Sequence, residues 1–585
     1  MVPKLLALFL PCALLCAQTQ ILPLKDIRAG MRGVGKTVFT GNQIEEFQVE
    51  VLGILENAGP KQSIILGRLS GGPLERTGVM QGMSGSPVYI DGKLAGAVAL
   101  AFSFAKEPIA GIRPIEEMIV EREEPQRRQA LDFRKPDLTS IFPRPVETSF
   151  GDAKLVEIAT PVSFGGFTRG TLDHFWPQLR AIGLEPCQGI SGSGRPAGPS
   201  TATSLEPGAM ISVQLLTGDL SVGADGTVTH VDGKRLYAFG HRFLSVGSTE
   251  LPFARSEVLT LLPNLSTSFK ISSAREWMGA ITGDYSTAIT GELGRRPALV
   301  PVTVSLTSAG ATAPAKPLTY RMEMVNDRFL SPLLLQMAIY SAIDATERTV
   351  GASSFSVQGE IQFVGPTPPV RIDNIFSGDI GAPAQASLSA AVPLAFALQS
   401  GLDNLKLKTV SIAVEAFDEK KQLQVDQVWT SRREIRPGEE VELTMLLAGE
   451  NGVEVSRKIK YTIPEGMRPG PLFFTVADGM TANITDYQQW IARPQRSPSQ
   501  VVALLNSLRG NTKAYVRVWK GEPGFQIEGK DLPDPPPSLA LILARQQSSP
   551  GAVTATPGSK VAEMEIDAGT YAITGSKTVQ IEVTE

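Results

Sequence analysis

Cysteine is nearly absent from these 585 residues, with Cys12, Cys16 and Cys187 as the whole complement. Two of the three fall in MVPKLLALFLPCALLCAQTQ, where one lysine, an apolar run and a small-residue exit at Ala17 predict a secretory signal peptide over residues 1–17. The exported chain would keep only Cys187, which excludes an internal disulfide framework. Lipidation at Cys16 is the weaker alternative to a periplasmic or extracellular soluble form, because Leu15 stands where such processing prefers a small residue. Histidine is equally scarce, limited to His174, His230 and His241. No clustered His/Cys/Asp spacing of a metal centre appears, which leaves only loop oxygens for a calcium ion, and no cofactor is expected. Excess positive charge is lacking too: 55 Lys and Arg face 59 Asp and Glu, for a net charge of -4, and no basic stripe calls for nucleic acid. The apolar stretches 332–343 and 388–398 are shorter or more interrupted than the ~20 residues of a membrane span, so no transmembrane helix is expected after the leader.

What the chain has in quantity is β texture. FQVEVLGIL, SIILGRL, SPVYI and KLAGAVALAF follow one another between residues 41 and 112 as strand candidates, and a charge-rich helical piece, IEEMIVEREEPQRRQALDF, comes after them as a solvated face. Residues 147–207 read as a connecting strand and helix, then a flexible Gly/Ser/Pro linker over 188–207 whose exposure makes it a candidate for cleavage. Strand signals resume over 208–375, with hairpin turns at Asp225-Gly226 and Asp232-Gly233. From 376 to 480 short alternating strands predict an immunoglobulin-like sandwich, and 481–585 a small α+β module. Trp429, Trp490 and Trp519 are expected in cores rather than as ligand platforms.

GMRGVGKT, residues 30–37, fits the phosphate-loop pattern to the letter. Such a loop must follow a buried strand and open a helix, whereas ILPLKDIRA precedes this one and the β-leaning TVFTGNQIEEF follows, so no nucleotide is expected.

A second short stretch carries the chemistry. In QGMSGSPVYIDGKLAGAV, Gly82 and Gly85 let the backbone turn sharply around Ser84, and the Asp91-Gly92 pair marks a hairpin behind it. Such a turn can present the Ser84 hydroxyl while aiming the N–H groups of Gly82 and Ser84 at a developing oxyanion; equally, small residues there let two sheets pack closely. Of the histidines, His174 beside Phe175-Trp176 reads as a packing residue and His230 as exposed beside a turn. His241 follows Gly240 at the end of an apolar strand.

The GMSGSP turn with its hairpin resembles the nucleophile half of the SpoIVB-type (sporulation stage IV B) serine peptidases, and LYAFGHRF with WMGAITGDYSTAITGELG is similar to that family's histidine half. Together these cover about residues 45–118 and 208–295. The resemblance implies a mainly β protein built on a chymotrypsin-like double β-barrel, with Ser84 as nucleophile, His241 as general base and a protein substrate in the cell envelope. The family's histidine precedes its serine, so the halves stand here in reversed order, as a permuted pair of barrels would place them. The family's acid falls where this chain has Ser70 and Gly71; Asp284, Glu250 and Glu257 are the candidates to orient His241 instead, with Asp284 preferred. Met83 stands where chymotrypsin-like zymogens carry an aspartate, so activation by a new N-terminus is not expected. A catalytically silent scaffold or binding module on the same fold is the alternative.

Overall fold

The computed structural model describes residues 19–585 apart from 103–104, 120–137, 139–146, 151–152, 190–204, 266, 310–316, 347–350, 403–404, 492–496, 522–523, 528–529, 533–534, 547–552, 557 and 568. The expected leader, most of the charge-rich piece and nearly all of the linker lie outside the described residues.

Six strands open the fold: β1 (Arg32–Thr40), β2 (Gln43–Gly59), β3 (Gln62–Ser70), β4 (Pro87–Ile90), β5 (Lys93–Phe102) and β6 (Ile109–Pro114). They neighbour one another in the order β4-β1-β2-β3-β6-β5, and β4 pairs again with β5, so the sheet closes into a barrel. Alternation along the strands supplies its interior, with Phe47, Val49, Val51, Ile65, Leu69, Val88 and Val98 buried together. Two more strands, β7 (Glu147–Phe150) and β8 (Ala153–Glu157), extend from β5.

The second sheet contains another closed barrel. After β9 (Thr160–Gly165), helix α1 (Arg169–Ala181) and β10 (Leu184–Gln188) come β11 (Met210–Gly218), β12 (Ser221–Asp232), β13 (Arg235–Ala238), β14 (Gly247–Leu262), β15 (Phe269–Tyr285) and β16 (Ala288–Leu293). Their order is β12-β13-β16-β15-β14-β11, and β11 pairs back onto β12. Numbered within each barrel, both run 1-2-3-6-5-4 and return to 1. The mainly β, double-barrel architecture expected from the sequence is therefore present. Strands β9 and β10 lengthen this sheet beyond β12, and five later strands between Val300 and Phe417 lengthen it beyond β11.

The apolar stretches that are too short for a membrane form α2 (Leu330–Thr346) and α3 (Ala382–Leu398). Both are apolar nearly all round, as suits helices enclosed on several sides, and Leu335, Ile339, Ala342, Ala390 and Leu394 are fully buried in the core they share with the second sheet. No helix among the described residues is long and apolar enough to cross a membrane.

Domain boundaries differ from the expected ones in three places. Residues 147–189 are not a mere connection, because β7 and β8 join the first sheet and β9 and β10 the second. Leu407–Phe417, expected in the immunoglobulin-like sandwich, pairs with Val300–Ser308 and Ser353–Phe363 in the second sheet. The C-terminal core lies between a four-stranded and a five-stranded sheet that draw strands from Gln422–Thr430 through Ser576–Val583, so the expected sandwich and α+β module share one interior. The physical reason is common to all three: alternation fixes which face of a strand is buried and leaves its neighbour open.

GMRGVGKT folds as β1 and the turn before it. A Cβ on Gly33 would sit 2.9 Å from Ile90 Cγ1 and collide with the Tyr89 carbonyl, and one on Gly35 would enter the Phe47 ring, so barrel packing accounts for these glycines.

Candidate active site

Ser84 lies in the connection from β3 to β4, and His241 in the connection from β13 to β14. These are the same crossing, third strand to fourth, in the two barrels.

The Ser84 turn is anchored by Met80 and Met83, both fully buried in the first barrel. Gly82 and Gly85 take φ of 88° and 94°, a region costly for a residue with a side chain. The Met83 N–H reaches the Met80 carbonyl at 3.2 Å, and the Ser86 N–H the Met83 carbonyl at 2.9 Å. Strand β12 of the second barrel then grips the turn from outside. Thr227 Oγ1 donates to the Gly82 carbonyl at 2.8 Å, the Thr227 N–H to the Ser84 carbonyl at 2.9 Å, and Thr229 Oγ1 to the Gly85 carbonyl at 2.7 Å. Among the described residues no acceptor takes the Gly82 and Ser84 N–H groups.

The His241 turn is built differently. Phe239 and Gly240 have φ of 69° and 70°, and a buried aromatic residue in that region is a strained position held by its surroundings. Asp284, at the end of β15, fixes the segment after the histidine: Oδ1 accepts from the Phe243 N–H at 2.7 Å, and Oδ2 from the Leu244 and Val246 N–H groups at 2.7 and 3.2 Å. Burial pushes this carboxyl up to about 6, against the opposing pull of those three donors. The expected partnership of Asp284 with the imidazole is not what its oxygens show, since His241 Nδ1 lies 2.6 Å from the Arg242 carbonyl. Glu250 is exposed and pairs with Arg295, and Glu257, partly buried, pairs with Arg275.

The two turns meet. Gly85 packs so tightly on the second barrel that a Cβ there would lie 2.5 Å from Phe239 N and collide with the Thr227 carbonyl, while a Cβ on Gly240 would lie 3.2 Å from the Val98 carbonyl of the first barrel. Ser84 is 0 % exposed and His241 2 %, and among the described residues neither Ser84 Oγ nor His241 Nε2 has a hydrogen-bond partner. The serine and the imidazole are thus brought to one junction without being bonded to each other.

A backbone carbonyl beside Nδ1 requires the proton on Nδ1, which leaves the Nε2 lone pair free. Burial holds the imidazole below its ordinary pKa, opposed by the charge of Glu157 and assisted by Arg113 and Arg242. Arg242 and Glu157 form a nearly buried ion pair at 3.3 Å. His241 is therefore neutral, in the tautomer that accepts a proton at Nε2.

Lys270 on β15 is a further buried group that sequence reasoning missed. Its methylenes cross Gly82, with Cδ 3.2 Å from where a Gly82 Cβ would stand, and Nζ donates to Thr37 Oγ1 in the first barrel at 2.8 Å. Burial pulls its ammonium down from 10.5 to about 7. Thr227 and Thr229 were missed as well; their i, i+2 spacing puts them on one face of a strand, and nothing in the chain tells which turn that face meets. His174, by contrast, packs as expected, stacked on Tyr340 with ring centroids 4.6 Å apart, while His230 is half-buried against Tyr237 rather than exposed.

Residues 15–119 match the SpoIVB peptidase S55 family. The match spans the whole first barrel and its Ser84 turn and ends before His241. No curated protein and no solved structure matches the chain. The SpoIVB match supports a serine peptidase, and with it a protein substrate.

Proposed function

We propose that this chain is an exported serine endopeptidase of SpoIVB type acting on a cell-envelope protein. Ser84 Oγ attacks the scissile carbonyl, His241 Nε2 takes its proton and later gives it to the leaving amine, and the Gly82 and Ser84 N–H groups stabilise the oxyanion. The observation that carries this reading is that the turns holding Ser84 and His241 pack on each other's barrels at equivalent crossings of two like barrels, with Ser84 Oγ and His241 Nε2 both buried and without a hydrogen-bond partner among the described residues. The Arg242 carbonyl takes the place of a triad carboxylate in fixing the imidazole tautomer, and Asp284 is a positioning residue acting through the backbone of residues 243–246. A carbonyl stabilises an imidazolium less than a carboxylate does, and loss of the acid's charge in a triad costs about 10⁴ in turnover. Slow turnover is the corresponding expectation.

A fluorophosphonate reagent on the purified full chain tests the proposal. Labelling should be abolished by Ser84→Ala and reduced at least roughly a thousandfold in rate by His241→Ala. Because burial lowers the His241 pKa, the imidazole is neutral at a pH where an ordinary histidine is protonated, so the rate should hold its plateau below pH 6.5 before falling. Labelling that survives Ser84→Ala would refute the assignment.

The full burial of Ser84 and the missing Ser84–His241 bond favour a second reading, a silent peptidase fold kept for binding. A folded parent chain that fails to label at any pH would decide for it.

A further inference from the structure

A cavity of about 360 Å³ opens beside the Ser84 turn. Gln81 forms one wall, β15 from Phe269 to Ser272 another, and α1 with β10 the third. The third wall lies outside the family match, so the match assigns it no role. A space of this size lies at the lower end of ligand sites and holds one large side chain with the chain around it.

Three features specify its occupant. First, the charged groups of the lining are already engaged: Arg180 pairs with Glu185 at 2.8 Å and Arg169 with Asp173 at 2.9 Å, Arg180 also covers the Trp176 ring at 5.5 Å, and Lys270 directs its Nζ to Thr37 Oγ1 at 2.8 Å. With Leu172, Trp176 and Phe269 between them, the space favours an uncharged, apolar group. Second, it offers unmet hydrogen-bonding groups. Strand β10 is an edge of its sheet among the described strands. The Gly189 N–H reaches back to the Phe164 carbonyl at 2.9 Å, so the alternate residues Pro186 and Gln188 turn their main-chain groups away from β9. Pro186 offers an acceptor and no donor there, which restricts pairing to a short segment. Third, the β14–β15 hairpin that borders the cavity ends in an exposed apolar tip, with Leu265 99 % and Leu262 43 % exposed.

We propose that this cleft seats an extended polypeptide segment by its backbone, with an apolar side chain in the cavity and the Leu262/Leu265 tip against the chain that leads in. A small apolar molecule would leave the β10 edge and the leucine tip unused, whereas a polypeptide supplies N–H and C=O groups at strand spacing together with alternating side chains. The proposal rests on the Ser84 reading only in making this segment the one that Ser84 attacks. The cleft would then select for an apolar side chain in the segment that Ser84 attacks.

The test uses the full chain carrying Ser84→Ala, so that nothing is turned over, and two fluorescein-labelled synthetic heptapeptides that differ in having leucine or aspartate at the centre. Fluorescence anisotropy should show the leucine peptide binding at least about tenfold more tightly, the discrimination expected from burying one leucine side chain. Adding Trp176→Ala should remove most of that preference. Adding Leu265→Asp, at a fully exposed position that cannot disturb folding, should weaken the leucine peptide severalfold. Equal binding of the two peptides, or no effect of either substitution, would overturn the proposal. Fluorophosphonate labelling of the parent chain separates the two readings. Selective peptide binding without labelling keeps the cleft and removes the peptidase; labelling without peptide selectivity keeps the peptidase and removes the cleft.

Discussion

The two barrels share a strand order and place Ser84 and His241, the proposed nucleophile and base, at the same crossing, yet they hold them by different means. In the first, the turn around Ser84 is made of glycines and is gripped from outside, by Thr227 and Thr229 of the other barrel. In the second, the turn around His241 is held from within, by Asp284 of its own fifth strand. The difference fits the proposed role of each side chain. A nucleophile turn needs free N–H groups at its mouth, so its carbonyls are the atoms available for anchoring and the anchor must donate. A general base needs only a fixed ring, so the N–H groups that follow it can be spent on a buried carboxylate. One consequence is that the three bonds on the Ser84 turn from Thr227 and Thr229 require the barrels to be docked, whereas the three bonds from Asp284 to the His241 turn lie within the second barrel.

Gly85→Ala should break that docking and have the largest effect. The new Cβ would meet backbone on two sides, 2.5 Å from Phe239 N and against the Thr227 carbonyl, at a φ of 94°. Backbone cannot yield as a side chain does, so a loss of more than about 4 kcal/mol is expected. Urea denaturation should show it as a lower midpoint, or as a separate transition of the first barrel, and Ser84 labelling should vanish with it. Gly82→Ala is the comparison: its φ of 88° carries a similar backbone cost, but the new Cβ meets only the flexible methylenes of Lys270, 3.2 Å away, and the Met210 side chain, so the difference between the two variants isolates the clash with backbone.

Asp284→Ala comes next and sharpens the contrast from the other side. It strands three buried N–H groups, each worth about 1–3 kcal/mol when unsatisfied, in the segment directly after the base. A stability loss of at least about 3 kcal/mol should appear together with slower Ser84 labelling, while the peptide preference of the cleft should remain. Asp284→Asn should recover part of the stability, since one amide oxygen still accepts. If Asp284→Asn slowed labelling about 10⁴-fold with stability intact, Asp284 would be a triad acid after all.

Much of this contrast was legible in the chain and some of it was not. Ser84 between Gly82 and Gly85 announces a sharp turn because positive φ has few other uses for glycine in pairs, and Gly240-His241 at a strand end announces another. Asp284 could be nominated as a buried acid, but its actual partners are N–H groups on a loop some forty residues away, which no local spacing encodes. The equivalence of the two barrels is equally hidden: they share no sequence motif, and the closure of β4 on β5 and of β11 on β12 appears only in three dimensions. Leu407–Phe417 shows the same limit, with alternation that predicts a half-buried strand correctly and says nothing of the sheet that takes it.

Lys270 links the barrels, and its contribution should depend on pH. Its folded pKa, about 7, lies below its unfolded 10.5, so between these values the unfolded chain binds the extra proton and stability rises with pH. Below pH 7 both states are protonated and the full cost of burying the charge, at most on the order of 5 kcal/mol, is present; above 10.5 both are neutral and it is gone. Lys270→Met keeps the stem over Gly82 and loses the bond to Thr37. The variant should be more stable than the parent by a few kcal/mol at pH 6, and the gap should close toward pH 10. A constant difference between the two across that range would mean that the amine does not titrate in the folded chain.

Thr229→Val is the smallest and most local of these changes. It is nearly isosteric, removes one donor and leaves the Gly85 carbonyl without its 2.7 Å partner, for an expected loss of about 1–2 kcal/mol. Its value lies in where the loss is felt. If the Ser84 turn is shaped from outside, labelling should slow several-fold although Thr229 touches neither Ser84 Oγ nor the base, and the rate should fall more than the global stability suggests. The same deletion made in the second barrel away from both turns and the cleft, Thr249→Val, which gives up a 3.0 Å bond to Asp327, should cost similar stability and leave labelling alone. Equal effects of the two on labelling would show that the Ser84 turn is supported by general stability and not by the three bonds from β12.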